Sequence, residues 1–271
     1  MSKLLRANFF RLRRSWPLLL CMIGAFALSS VSMLGIARSS SEAYALDDAI
    51  LQLFPFLPIL HAAFISLFLG VEYQDGTLRN KLIAGHGRAA VYFSSLIAAI
   101  TGCMAILLAW LLSAAVGAAC FGWFRTPLPG LLLSAAVILL LTAAIAAILT
   151  LLAMLTPNRA AAAVVSILLI FGLIVAGSML YNTLSEPELV SGAIVTANGF
   201  TVGDPEPNPN YISGSLRAVY QFLVSALPTG QAILLANQEL TQPVLSLCCS
   251  AGIVLLTSLT GAVFFRKKDL K

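Results

Sequence analysis

The chain is 271 residues long, 59% hydrophobic and only 10% charged, with a formal net charge of +5. A soluble domain carries roughly 25% charged residues, so this composition excludes a water-soluble globule and makes the bilayer the solvent. The basic excess does not collect in a separate domain, as nucleic-acid binding would require; it sits beside the ends of apolar runs, where membrane topology places it.

Residues 1–15 are rich in Lys and Arg. On a helical wheel Leu4, Leu5, Phe9, Leu12 and Trp16 share one arc and Lys3, Arg6, Arg13 and Arg14 the opposite one, with Phe10 breaking the pattern. The pattern predicts an N-terminal amphipathic helix in the inner interface, its basic side on anionic headgroups. The competing reading is a basic tail that only fixes orientation. Residues 16–37 are the first span. Ala25-Phe26-Ala27 resembles a signal-peptide cleavage site, but the apolar run continues about ten residues past it, which identifies a retained helix. The following loop carries Glu42, Asp47 and Asp48 against Arg38 and reads as external.

Residues 49–71 are the second span. Pro55 and Pro58 should bend its outer half, because each removes a helical donor and crowds the preceding turn. His61 is an ionisable group at depth. It is therefore either part of a polar intramembrane pathway or a neutral hydrogen-bonding group between helices.

The stretch from Glu72 to Arg88, E-Y-Q-D-G-T-L-R-N-K-L-I-A-G-H-G-R, is strongly polar and lies between two runs that are each long enough to cross a bilayer. Asp75 or Thr77 can cap a short helix. Leu78, Leu82 and Ile83 fall on one side of it, Arg79, Asn80 and Lys81 elsewhere, and Gly85 to Gly87 ends it. Glu72 either faces the interior or caps the interface. Residues 72–90 thus form a basic loop with a helix of its own, which either docks a cytoplasmic partner or only sets topology.

Residues 91–117 form the third span, and the tight turn Arg125 to Gly130 leads to the fourth, 131–155, whose Ala and Thr positions allow close helix approach. Thr156-Pro157-Asn158-Arg159 turns into the fifth span, 160–181. Residues 182–243 are a long polar segment with Glu186, Glu188, Asp204, Glu206 and Glu239 against Arg217. Its middle, Asp204 to Asn210, is expected to be neither helix nor central strand. After it, Leu216, Val219, Tyr220, Leu223 and Leu227 repeat at helical spacing up to Pro228, and Ala232 to Ala236 forms a second short apolar piece. Both are too short to span, so they dip into the outer leaflet or cap the bundle, as a substrate-facing lid or as a plain extracellular cap. Residues 244–265 are the sixth span, closed by Arg266 to Lys271.

Assigning sides puts Lys3, Arg6, Arg11, Arg13, Arg14, Arg79, Lys81, Arg88, Arg159, Arg266, Lys267, Lys268 and Lys271 inside, and only Arg38, Arg125 and Arg217 outside. The expected fold is therefore an all-α polytopic membrane protein with six transmembrane helices, both termini cytoplasmic, and a large extracellular segment between the fifth and sixth spans. There is no G-x-x-x-x-G-K-[ST], H-E-x-x-H or Cys-x-x-Cys, and no nucleophile–base set, so neither an enzyme nor a resident cofactor or metal is expected. Cys21, Cys103, Cys248 and Cys249 lie inside spans and Cys120 near the end of one, where they serve as small apolar groups. An ion-coupled carrier would place several carboxylates at mid-membrane and show repeated broken helices, and the nearly charge-free spans weaken that alternative.

The passage Phe68 to Tyr92 resembles the first cytoplasmic loop of type-2 ABC transporter permeases. Glu72-Tyr73, Gly76-Thr77-Leu78 and Gly87-Arg88 match the acidic–aromatic pair, the G-T-[LI] step and the small-residue–Arg pair of that class, in order. The overall layout, including Leu-Pro-Thr-Gly-Gln in the outer segment, resembles the class along the whole chain. His86 departs from it, standing where a small residue is common. The resemblance implies a permease subunit of an ATP-driven exporter in a bacterial cell membrane. Two permease copies, identical or homologous, would form the pathway and separate ABC ATP-binding subunits would bind the ATP. It also implies that Glu72, Tyr73, Gly76, Thr77, Leu78, Arg79, Asn80, Lys81, Leu82 and Arg88 serve ATPase coupling. Leu78 and Leu82 would sit in a groove on the ATPase, Arg79 and Lys81 would meet acidic residues around it, and Glu72 would anchor the loop. The expected cargo is an antimicrobial peptide, an antibiotic or another amphipathic molecule. The rival readings are an ion-coupled secondary transporter and a non-transporting membrane scaffold or sensor.

Overall fold

The computed structural model describes residues 1–39, 46–121, 126–196 and 199–268. Glu42, Arg125 and Lys271, used above to assign sides, lie outside the described residues. The elements are α1 (Ser2–Arg13), α2 (Trp16–Ser39), α3 (Leu46–Gln52), a 3-10 turn (Phe54–Phe56), α4 (Leu57–Gln74), α5 (Thr77–Ile83), α6 (Arg88–Phe121), α7 (Leu128–Leu155) and α8 (Arg159–Ser185). A two-stranded ribbon of β1 (Leu189–Thr196) and β2 (Gly199–Pro207) follows, then α9 (Gly214–Ala226), α10 (Pro228–Ala236) and α11 (Pro243–Lys267).

Six stretches are long and apolar enough to cross a membrane: Trp16–Gly35, Asp47–Gln74, Arg88–Gly117, Leu128–Leu155, Arg159–Ser185 and Pro243–Lys267. Each reaches the ~20 residues that a bilayer core demands. The fold is thus that of a polytopic α-helical membrane protein. α7 is central, packing against α11, α6, α4 and α8, while α2 lies along α6 and α8 along α4. Ala144, Ala146, Ala147 and Ala153 of α7 are fully buried, so small side chains allow backbones to approach where no hydrophobic force drives helices together.

At Pro55 and Pro58 a 3-10 turn interrupts the α-helix, while Asp47–Gln74 continues as one span. α3 stops at Gln52, Pro55 opens the 3-10 turn, and Pro58 occupies the first turn of α4, where its missing N–H costs nothing. Trp110 of α6 holds the turn in place. Its indole N–H donates to the Ile50 carbonyl at 3.0 Å, and its ring meets Phe54 edge-on at 6.2 Å between centroids.

The amphipathic helix forms as α1, with its apolar arc turned toward the protein. Leu4 and Leu12 are buried against α6 with Asn8 between them, while Lys3, Arg6, Arg13 and Arg14 are exposed, as are Phe10 and Trp16.

In the polar segment between α8 and α11, Asp204 to Asn210 is neither helix nor central strand, as expected; Asp204 to Pro207 belong to β2, an edge strand. It pairs antiparallel with β1 in the register Leu189↔Pro207 and Val190↔Glu206, with an irregularity between Ser191 and Ala193. In a two-stranded ribbon both strands are edges, so the missing proline donors leave no central ladder incomplete. α9 and α10 meet at 97° around Leu227 and Pro228. The two differ sharply in surroundings. Leu216, Val219, Phe222 and Leu223 of α9 are exposed, whereas Pro228 to Leu235 of α10 are buried. α10 is wedged so tightly that a Cβ on Gly177 of α8 would come within 3.1 Å of the Gly230 nitrogen. Its polar groups are satisfied internally. The Thr229 hydroxyl donates to the Leu173 carbonyl at 2.7 Å. The Gln231 amide donates to the carbonyls of Ser225 (2.8 Å) and Ser246 (3.1 Å) and accepts from the Ser250 hydroxyl at 2.9 Å.

Candidate partner-docking end

The polar loop begins where α4 ends. Gly76, at φ 62°, lets the chain reverse in the left-handed region that L side chains avoid, and Gly85, at φ 83°, does the same on the far side of α5. Between them α5 is a helix of fewer than two turns, joined to α4 by the Thr77 hydroxyl, which donates to the Glu72 carbonyl at 3.2 Å.

Glu72 faces the interior, one of the two positions its sequence context allowed. Its side chain is 0% exposed and pairs with Arg11 of α1 and with Lys81 of α5, the latter at 2.7 Å. Lys81 also donates to the Asn8 side-chain oxygen at 2.9 Å, and the Asn8 amide donates to the Ser94 hydroxyl of α6 at 3.3 Å. The Arg11 guanidinium lies 4.0 Å from the centroid of the Phe68 ring, a cation–π contact. One carboxylate thus joins α1, α4, α5 and α6. Burying a charge in an apolar end of the bundle is tolerable only with such pairing.

A second junction lies beside it. The Tyr73 hydroxyl donates to the Met154 carbonyl at the end of α7 and accepts from Lys268 at 2.8 Å, while Lys268 also reaches that carbonyl at 3.0 Å. Burial pushes the Lys268 ammonium pKa down from its ordinary value. Arg88 donates to the carbonyls of Arg266 (3.2 Å) and Lys268, satisfying groups that the end of α11 leaves open. Arg159 donates to Gln74 at 3.4 Å, and its stem crosses Gly70 so closely that a Cβ there would fall 2.6 Å from Arg159 Cγ. Asn158 caps α8 by accepting from the Ala160 and Ala161 N–H groups at 2.9 and 3.2 Å.

The basic clusters that the sequence assigns to one side therefore converge physically on one end of the bundle. Sequence reading missed Asn8, Arg11, Ser94 and Lys268 as partners. The available signal was Asn8 itself, a polar residue on the apolar arc of α1.

The faces of α5 differ from expectation. Leu78 is 2% exposed, inside this chain's own core, and Leu82 packs against that core half-buried. Lys81 is occupied by Glu72 and Asn8. The outward face consists of Arg79, Asn80 and Ile83, the last 74% exposed. A groove on a partner therefore cannot receive Leu78 unless this end unpacks. His61 does not join the cluster; it lies about three turns earlier in α4 and is buried.

The model for the family described as ABC-2 family transporter protein matches residues 4–177, which include both junctions apart from the contributions of α11 and Lys268. No curated protein matches the chain.

Proposed function

The chain belongs to the ABC-2 family of transporter proteins and is a transmembrane component of an ABC transporter; on that premise we propose that it lines the pathway of an ATP-driven exporter and is moved through α5 by a separate ATP-binding subunit. The observation that carries this is the two-sidedness of α5. One face is fixed by Leu78 and Lys81 to the spans, and the other presents Arg79, Asn80 and Ile83, the last left exposed by the described residues. An acidic-rimmed apolar groove on the ATP-binding subunit is the complementary surface.

In this reading the basic end faces the cytoplasm, both termini included, and ATP binds wholly in the partner, since the chain carries no phosphate-cradling loop. Closure of the ATP-binding subunits displaces α5. The displacement passes through Lys81 to Glu72 of α4 and Asn8 of α1, so the spans tilt as bodies instead of the loop deforming alone. A second permease copy, identical or homologous, completes the pathway. The exposed apolar faces of α2, α8 and α11 meet that copy or lipid. The nearly charge-free spans suit an amphipathic cargo such as an antimicrobial peptide or antibiotic, exported across a bacterial cell membrane.

The test is transport in proteoliposomes that contain the chain with its ATP-binding subunit. Export is expected to require ATP. The double variant Arg79→Glu, Ile83→Asp should lower permease-stimulated ATP hydrolysis at least tenfold while inserting normally. Unchanged hydrolysis refutes docking through α5, and transport by the chain alone under an ion gradient refutes the ATP-driven reading.

A further inference from the structure

The end of the bundle opposite Glu72 holds another buried carboxylate, for which the coupling scheme has no use. Asp47, in α3, is 5% exposed. Its Oδ2 accepts from the Thr126 backbone N–H at 2.7 Å and from the Thr126 hydroxyl, while its Oδ1 is buried with no hydrogen-bond partner among the described residues. Two adjoining cavities, of about 380 and 350 Å³, both touch Asp47 and share Thr126, Ser134 and Gln238. The first adds Asp48. The second is an apolar chamber walled by Ile50 and Leu51 of α3, Leu111 of α6, and Leu131 and Ile138 of α7. Among the described residues no Lys, Arg or His lines either cavity. Each volume falls within the ~300–1,000 Å³ of small-molecule sites. A buried carboxylate oxygen with no donor is costly, and ionisable groups in membrane-spanning segments characteristically face ligand cavities.

We propose that this double cavity binds a cationic amphiphile. A primary ammonium or guanidinium head donates to Asp47 Oδ1 with Asp48 nearby, and an alkyl or aromatic tail occupies the chamber between α3, α6 and α7. The site is complete within one chain. It deepens the cargo part of the proposed function, but binding is read without ATP or the ATP-binding subunit, so its failure leaves the coupling scheme standing.

The full-length chain in phosphatidylcholine nanodiscs is titrated with fluorine-labelled octylammonium and with the uncharged octanol analogue, and empty nanodiscs are subtracted. Saturable octylammonium binding is expected. Asp47→Asn should weaken it at least tenfold and leave the octanol analogue unchanged, because Asn still accepts from Thr126 but offers no charge. Ala135→Phe, which fills the chamber and keeps the carboxylate, should weaken both, and melting temperatures confirm folding of each variant. Adding phosphatidylethanolamine separates the two sources of such a ligand: competition assigns the site to an outer-leaflet aminolipid, and lack of competition assigns it to a transported cation. Absence of saturable octylammonium binding overturns the proposal, as does undiminished binding in folded Asp47→Asn. Should that variant not fold, undiminished binding in Ala135→Phe decides against it.

Discussion

Glu72 is held by two cations that come from different elements, Arg11 from α1 and Lys81 from α5, so its value lies in what it joins. Removing one partner from a buried pair costs more than the pair contributes, because an uncompensated charge remains. Glu72→Ala strands both cations and is expected to destabilise the folded chain by about 3 kcal/mol, seen as a lower melting temperature in detergent. The double variant Glu72→Gln, Lys81→Gln should recover part of that loss, because its amides can bond each other and Asn8; a double variant no better than Glu72→Ala would show that charge, not hydrogen bonding, holds the junction. The same logic explains what the sequence left undecided about Glu72. Its burial is settled by Arg11, far away in sequence on a different helix, and no local periodicity encodes that meeting.

At the scale of elements, α5 is the case where sequence pattern and structure part. At 100° per residue Leu78 and Leu82 lie close together on the wheel while Ile83 lies well to one side. In a seven-residue helix the arc is too short to decide which flank faces the protein. Leu78 and Leu82 turn inward because α4 and α6 offer core there, and Ile83 is left outside. Leu78→Asp is consequently expected to impair folding, not merely docking, and protease resistance of the variant checks this. Gly76→Val forces a β-branched residue into the left-handed region, at a cost of about 1–2 kcal/mol, and should lower the melting temperature while α5 keeps its composition. The β-ribbon escaped prediction for a different reason. Its prolines argue against a central strand, but a ribbon of two strands has no centre. The α9–α10 pair was legible as two short helices from the stop at Pro228. Its 97° bend was not, since that depends on the cavity between α7 and α8 that receives α10.

For the whole molecule, the six spans and the convergence of the basic clusters on one end were readable from hydropathy and charge placement, because the bilayer imposes both regardless of packing. The convergence carries a topology prediction. In inverted and right-side-out vesicles of cells expressing single-cysteine variants, Ile83→Cys should react with a membrane-impermeant maleimide only from the cytoplasmic side and Arg217→Cys only from outside. The reverse pattern would invert the proposed orientation. What remained illegible were the long-range closures, Arg11 to Glu72, Arg88 to the end of α11, and Asp47 to Thr126, each made by residues far apart in the chain.

Gln231 sits on α10, yet two of its hydrogen bonds end on Ser246 and Ser250, in a helix synthesised after it. Until that last helix has entered the bilayer, α10 has a dry niche between α7 and α8 but a Gln231 amide lacking two of its three partners. Assembly around α10 must therefore wait for release of the final stretch from the ribosome. A released chain truncated before Pro243 should expose α9 and α10 to quality-control proteases while the first four spans are already protected.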